Sequence, residues 1–279
     1  IVGSGPSGSI TANKLKKKFD KVLILEKGNS FSHYSTKHPG DEFIYKWDRS
    51  GVNTTILKNQ ISFSSGSCYG GGSEINSGLL HYPDKNFIDT WKSEFSVSNL
   101  NYTDLKKELD DLLYENKLVS LQPKNFENFS KNKFLKGILE SNLKYEELLK
   151  FEKYENNNFT KNSMSNTLLS AFEKKGGNTL LRYKVEKLYK KNNYWIIEGI
   201  KNRKKISFKC KYLFLCAGSI YTNELIINNN LFNNINKPNF FKFHPMIKII
   251  AEYSDKVQTG KENVHNVQIT EHYPNFLIG

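Results

Sequence analysis

Six residues near the start, Gly3-Ser4-Gly5-Pro6-Ser7-Gly8, and one carboxylate, Glu26, have the types and spacing to hold a dinucleotide. Gly3 can adopt the angles of a tight turn, Gly5 lets a diphosphate approach the main chain, and Gly8 lets a helix pack closely on a strand. The phosphates would face free backbone N–H groups at a helix start, with Pro6 and Ser7 completing the contact. Glu26 stands at about the twenty-residue spacing at which a carboxylate accepts hydrogen bonds from an adenosine ribose. A βαβ unit that binds nothing is the alternative reading of the same residues.

A second stretch could also meet a ligand: Gly70-Gly71-Gly72-Ser73-Glu74-Ile75-Asn76-Ser77-Gly78. Three consecutive glycines cannot fill a core, and they suit a place where main chain passes close to something flat or anionic. Ser73 and Asn76 would add short hydrogen-bonding side chains. A flexible linker is the rival, but a linker would not run into Ile75, Leu79, Leu80 and Tyr82.

The elements that must position these residues follow from hydrophobic spacing. Ile1-Val2 and Val22-Leu23-Ile24-Leu25 read as strands, with a helix between them that turns Ile10, Ala12, Leu15 and Phe19 inward. From Lys27 to Gln60 the sequence reads as irregular covering structure, and His33 and His38 within it as solvated loop residues. Asn86 to Leu118 reads as helical, with Phe87, Ile88 and Trp91 on one face and Asn101 to Asp104 capping a second helix. Phe134 to Leu139 suggests another short helix. Met164, Leu168, Leu169 and Phe172 align on a helix that stops at Gly176-Gly177. Thr179 to Leu188 reads as one strand, Tyr194 to Glu198 and Ile206 to Cys210 as a hairpin. Tyr212 to Ser219 reads as a buried strand whose small last residues, Ala217 and Gly218, can bring main chain against a cofactor.

The 279 residues carry a net charge of +13 and are 38% hydrophobic, enough for a substantial core in one large or two smaller domains. The lysines are scattered among asparagines, and the arginines are only Arg49, Arg182 and Arg203, so no basic stripe points to nucleic acid. Cys68, Cys210 and Cys216 have no metal-ligand spacing and fit a reducing, cytoplasmic setting, with peripheral membrane association left open. No apolar run reaches the length of a membrane span. The chain opens inside a strand and without Met, and a fragment of a longer protein is expected.

Together, the first fingerprint and Gly70 to Gly78, followed by Pro83 and Asp89, resemble the FAD-binding part of the glucose-methanol-choline (GMC) oxidoreductases. Gly70 through Asn76 supplies the core of that family's first signature. Ser67, Tyr69 and Leu80 depart from its edges. Gly218, Ser219, Thr222, Leu225 and Ile226 match the start of the second signature. Asn223 replaces its usual proline, and Asn229 and Asn230 replace its serine and glycine. Phe243-His244-Pro245 is similar to a His-Pro pair that precedes a substrate-binding strand, read here as Met246 to Tyr253.

The resemblance implies an α/β fold: an FAD/NAD(P)-binding Rossmann-like domain with a central parallel sheet, a β-meander and a helical insertion, plus the start of a substrate domain. The boundaries expected are 1–85 and 163–236 for the FAD domain, 86–162 for a mainly helical insertion, and 237–279 for the beginning of the substrate domain. It implies cofactor contacts at Gly3, Gly5, Pro6, Ser7, Gly8, Glu26, Gly70, Gly71, Gly72, Ser73, Asn76, Gly78, Val185, Ala217 and Gly218, with Val185 meeting the adenine through its backbone. It implies no metal. FAD is expected to be noncovalent, because this loop lacks the histidine through which some members attach it.

The implied chemistry is alcohol oxidation. The C–H of a small-molecule alcohol delivers hydride to the flavin N5 while a protein base removes the hydroxyl proton. In the family that base comes from a C-terminal segment, so no catalytic residue is named within this chain, and it is expected beyond Gly279. The electron acceptor (oxygen, quinone or cytochrome) is left open. So are two rivals: a different flavin or nicotinamide enzyme sharing only the nucleotide fold, and a cofactor-holding module without catalysis.

Overall fold

The structure is a computed structural model that describes residues 1–31, 39–56, 60–156, 158–232 and 264–279, with 245–247, 249, 252 and 254 between them. His33, His38, His244 and half of the expected strand from Met246 to Tyr253 lie outside the described residues. Two compact units emerge: residues 1–76 with 163–245, and 77–162 with 246–279.

The first unit is built on a parallel sheet. Strand Leu23–Leu25 pairs with Asn178–Leu180, and Val2 bridges both Leu25 and Leu215 in parallel. The ladder runs through Leu25 N–H to Ile1 O at 2.9 Å, Gly3 N–H to Leu25 O at 2.8 Å and Cys216 N–H to Val2 O at 2.7 Å. Taken in chain order, the four strands lie in the spatial order third, second, first, fourth. This is the start of the doubly wound nucleotide-binding order, including its reversal point, and so a Rossmann-like fold.

The helix Pro6–Lys16 makes the first crossover, with Gly5 as its N-cap and Pro6 at a position where a missing N–H costs nothing. Its buried face is Gly8, Ser9, Ala12 and Asn13 rather than the expected large-residue stripe. Ile10 and Leu15 are half-buried, and Phe19 is exposed beyond the helix end, tilted against Tyr212. The reason is proximity: a Cβ on Gly8 would lie 2.0 Å from Gly3 O, so the helix sits too close to the sheet for large side chains. Asn13 instead uses its amide, donating to Leu168 O at 2.7 Å.

A three-stranded antiparallel meander follows, Tyr183–Lys191, Tyr194–Lys201 and Lys204–Cys210. Its turns hold Asn192-Asn193 and Asn202-Arg203 at positive φ, the geometry that matches strand twist in two-residue hairpins. The single strand expected over Thr179 to Leu188 is divided. Arg182, at φ 57, breaks it so that Asn178–Leu180 joins the parallel sheet and Tyr183 starts the meander. Val2, Leu25, Tyr183, Val185, Leu188 and Ile197 form the core between these layers.

The segment expected to be irregular carries a helix, Pro39–Lys46, and a two-strand pair, Asn53–Thr54 with Ser62–Phe63. Met164, Leu168, Leu169 and Phe172 are buried as their spacing predicts, on a wide turn Ser165–Leu169 leading into the helix Ser170–Lys174. Of the expected strand from Tyr212 to Ser219, Phe214 to Cys216 join the sheet. The helix Gly218–Asn228 then begins with Ala217 as N-cap.

The second unit contains helices Lys85–Phe95, Tyr102–Glu115 and Phe129–Glu140, each capped by an Asp or Asn side chain. The Asn101 side chain accepts from Thr103 N–H at 2.8 Å. On the first of these helices only Ile88 is buried, while Phe87 and Trp91 are exposed and packed on each other. Strand Tyr145–Glu147 pairs antiparallel with Val267–Ile269, and Glu152–Glu155 pairs with Asn158–Lys161. Its core includes a buried ion pair, Lys150 with Glu152 at 2.9 Å.

Candidate functional site

In doubly wound sheets a ligand sits outside the carboxyl ends of the strands where the strand order reverses. Here that place lies between Val2 and Leu215, and the residues that follow those two strands are Gly3 and Ala217-Gly218. The two loops touch: a Cβ on Gly3, whose φ is +97, would lie 2.3 Å from Cys216 O and 3.0 Å from the Ala217 Cα. The third glycine-rich stretch reaches the same place. Gly71, at φ +57, lies so close to the first turn that a Cβ on it would be 2.8 Å from the Gly5 Cα.

Ser4, to which local spacing gives no role of its own, links these pieces. Its hydroxyl donates to Glu26 Oε2 at 2.8 Å and accepts from Gly70 N–H at 3.1 Å, and its own N–H donates to the same Glu26 oxygen at 2.9 Å. Glu26 Oε1 accepts from Gly28 N–H at 2.7 Å. The carboxylate is buried, yet a carboxylate oxygen can accept a second hydrogen bond, so Oε1 retains capacity for a ribose hydroxyl. One small hydroxyl thus ties the first glycine turn, the ribose-side carboxylate and the second glycine turn.

The second turn is anchored on its other side. The buried Ser73 hydroxyl donates to Gly70 O at 2.8 Å and accepts from Met164 N–H at 2.9 Å, so it braces the loop from inside. Cys68 Sγ lies 3.8 Å from Gly71 O, and its thiol is pushed up to about 12 by burial and by Glu74 and Glu26. It is therefore a neutral packing group.

Gly3, Gly5, Gly8, Glu26, Gly70, Gly71 and Ala217 are thus gathered around one place. Pro6, Ser7, Gly72 and Gly218 are exposed members of the same turns, and among the described residues nothing beyond the chain neighbours and the helix's own backbone lies within 4 Å of a Cβ built on Gly72 or Gly218. Asn76 is exposed at the end of its turn. Val185 is a core residue paired with Gly199. Gly78, at φ +75, belongs to the second unit, where its carbonyl accepts from Phe151 N–H.

The donor set fits a dinucleotide. Helices Pro6–Lys16 and Gly218–Asn228 both start without a side-chain cap and without an acidic residue in the first turn. Their first N–H groups are left for an anion, which the partial positive charge of a helix start favours.

A further polar group borders this region. Asp48 is buried, with Oδ1 at 2.7 Å from Lys27 Nζ and Oδ2 accepting from the Tyr221 hydroxyl at 2.5 Å. The Lys27 ammonium also sits 3.5 Å from the Tyr221 ring centroid. Burial alone would raise the Asp48 carboxyl, but the bonds from Lys27 and Tyr221 hold it below the usual aspartate value. Burial and the Asp48 charge push the Tyr221 phenol up. No local spacing reveals this group, since its three members are far apart in sequence.

The departures from the second signature also have structural roles. Asn229 Oδ1 accepts from Leu188 N–H at 2.9 Å while Nδ2 donates to Leu225 O at 2.8 Å, filling the irregularity between Val185 and Lys187. Asn230 takes φ 47, a region that asparagine tolerates better than most residues. Among the described residues, no group of three or more His, Cys, Asp or Glu side chains is arranged for a metal ion.

Comparison with known proteins agrees with this geometry. The family description GMC oxidoreductase matches residues 24–236. An uncharacterized GMC-type oxidoreductase of Sinorhizobium fredii is 25% identical over 300 residues, covering 100% of this chain and 58% of its own. A long-chain-alcohol oxidase of Arabidopsis thaliana is 28% identical over 114 residues, 40% of this chain and 15% of its own. Among solved structures, a formate oxidase variant from Aspergillus oryzae RIB40, determined in work on FAD modification, superposes with a TM-score of 0.61 at 14% identity. That match covers 82% of this chain and 46% of the oxidase. The chain therefore spans about half the length of the Sinorhizobium protein and of the formate oxidase.

Proposed function

Because this chain belongs to the GMC oxidoreductase family, we propose that it forms the FAD-holding part of an oxidoreductase acting on CH–OH donors. The observation that carries this reading is the meeting of three main-chain turns, at Gly3–Gly8, Gly70–Gly72 and Cys216–Gly218, at the reversal point of the sheet. FAD, when bound, supplies the hydride acceptor for an alcohol C–H.

The chain's own residues would do the holding. The uncapped N–H groups at the starts of Pro6–Lys16 and Gly218–Asn228 bind the diphosphate, and Glu26, oriented by Ser4 and Gly28, accepts from the ribose. Gly70 to Gly72 bring main chain against the cofactor, braced by Ser73, and the Val185 backbone is assigned to the adenine edge. Binding is noncovalent: the stretch from Ser62 to Gly78 holds no histidine, and its one thiol, Cys68, is buried and neutral. The base that takes the alcohol proton is assigned to the part of the relatives' length that this chain does not span. The similarity to the long-chain-alcohol oxidase supports an alcohol as donor class.

Titration of the purified chain with FAD, followed by flavin fluorescence, tests the reading. Saturable binding is expected, with acid precipitation releasing all of the flavin to the supernatant. Gly5→Asp places a carboxylate beside the diphosphate and should weaken binding at least about a hundredfold. A folded chain that ignores FAD, or flavin that stays with the precipitate, would overturn the cofactor reading or its noncovalent form respectively.

A further inference from the structure

Asp48 makes contacts that run toward two of the three turns, Gly70–Gly72 and Cys216–Gly218, and toward the Glu26 segment that Ser4 ties to the first turn. Its N–H donates to Ser65 O at 2.9 Å, and Ser65 precedes Gly66, which packs on Gly71 so tightly that a Cβ there would lie 2.5 Å from the Gly71 carbonyl carbon. Its Oδ1 holds Lys27, the residue between Glu26 and Gly28, whose N–H orients the Glu26 carboxylate. Its Oδ2 holds Tyr221 in the first turn of the helix opened by Gly218.

The Asp48 backbone is itself fixed. Its carbonyl accepts from Asn53 Nδ2 at 3.0 Å, and the adjoining Trp47 bridges Gly66. Arg49 and Ser50 directly after it hold φ values of 49 and 55, a conformation unfavourable for residues other than glycine. Such a conformation persists only where the surroundings determine it.

The Lys27 ammonium is held between the Asp48 carboxylate and the face of Tyr221, two interactions that favour the cation together. The ion pair, the phenol hydrogen bond and the ring contact are all made at once, which narrows the geometry open to the three side chains. That geometry sets how the end of strand Leu23–Leu25, the approach to the second glycine turn and the start of the last helix stand to one another.

We infer that Asp48 is a positioning residue for the cofactor: with Lys27 and Tyr221 it forms a clasp that places Glu26, the Gly70–Gly72 turn and the start of the helix Gly218–Asn228 for the adenosine diphosphate part of FAD. The clasp does not touch the cofactor and acts through Glu26 and the turns. This inference rests on the FAD reading above.

The test is a double-mutant cycle on FAD affinity in the full chain, with far-UV circular dichroism and melting of each ligand-free variant recorded beside it. Asp48→Asn should raise the FAD dissociation constant about tenfold, the scale of one hydrogen bond to a charged group, and Lys27→Met should do the same. Glu26→Gln should cost much less in the Asp48→Asn background than alone, because Asp48 acts through Glu26. A merely structural role would instead give independent, multiplying losses that follow the fall in melting temperature, and that result overturns the clasp. So does Asp48→Asn binding FAD as the wild type does. If Asp48→Asn does not fold, Tyr221→Phe, which keeps the ion pair and the ring, carries the same cycle with a smaller loss. A wild-type chain that is folded and binds no FAD overturns the cofactor reading and the clasp with it, whereas normal wild-type binding with uncoupled variants overturns the clasp alone.

Discussion

The Asp48 carboxylate is the residue whose ionisation the fold uses most visibly. Burial opposes its charge, but the Lys27 and Tyr221 bonds win and lower its pKa. A depressed carboxylate pKa contributes stability above the unfolded value and loses it as pH falls through the folded value. The contribution is therefore complete at neutral pH, begins to fade near the ordinary aspartate value of about 3.9, and is gone only below the lowered folded value. Urea midpoints measured against pH should show this: Asp48→Asn is expected to be less stable than wild type at pH 7, with the difference shrinking below about pH 4. A constant difference down to strongly acid pH would contradict the assignment.

Among the elements, strand Tyr183–Lys191 shows how a departure from a family pattern is absorbed. Its ladder slips between Val185 and Lys187, and the Asn229 side chain from the end of the last helix satisfies the Leu188 N–H left beside the slip. Asn229→Ala would leave that buried donor unpaired, so a loss of about 1–3 kcal/mol in urea unfolding is expected. Faster exchange of the Leu188 amide should accompany it. The helix Pro6–Lys16 makes a related point, since its small buried face follows from the approach of Gly8 to Gly3 and not from hydrophobic periodicity.

For the molecule as a whole, the first unit carries the nucleotide-binding sheet, and the second organises around its own core. In that second core Lys150 and Glu152 are both almost fully buried, and Lys150 N–H and O pair with Ser120 across 2.9 Å bonds. Tyr154 adds a hydrogen bond to Glu152 at 2.6 Å. Glu152→Gln removes the charge that compensates a buried ammonium, a change that costs about 3–5 kcal/mol in comparable pairs. Faster hydrogen exchange at the Ser120 and Lys150 amides would register it, and unchanged exchange there would show that the pair contributes little.

Chain-local signals were enough to identify the nucleotide fold and the glycine turns that the structure brings together. The spacing of Gly3, Gly5, Gly8 and Glu26 encodes turn, helix start and strand end within some twenty-five residues, where backbone sterics leave few alternatives. The Asn101 cap and the buried face from Met164 to Phe172 were legible for the same reason. What only the tertiary structure decided is which distant pieces meet. Ser4 finds Gly70, and Asp48 finds both Lys27 and Tyr221, because parallel strand order brings chain segments together that share no local pattern. Burial of Ser9 and Asn13, and the break at Arg182, came likewise from packing distance and sheet membership, which periodicity along one segment does not encode.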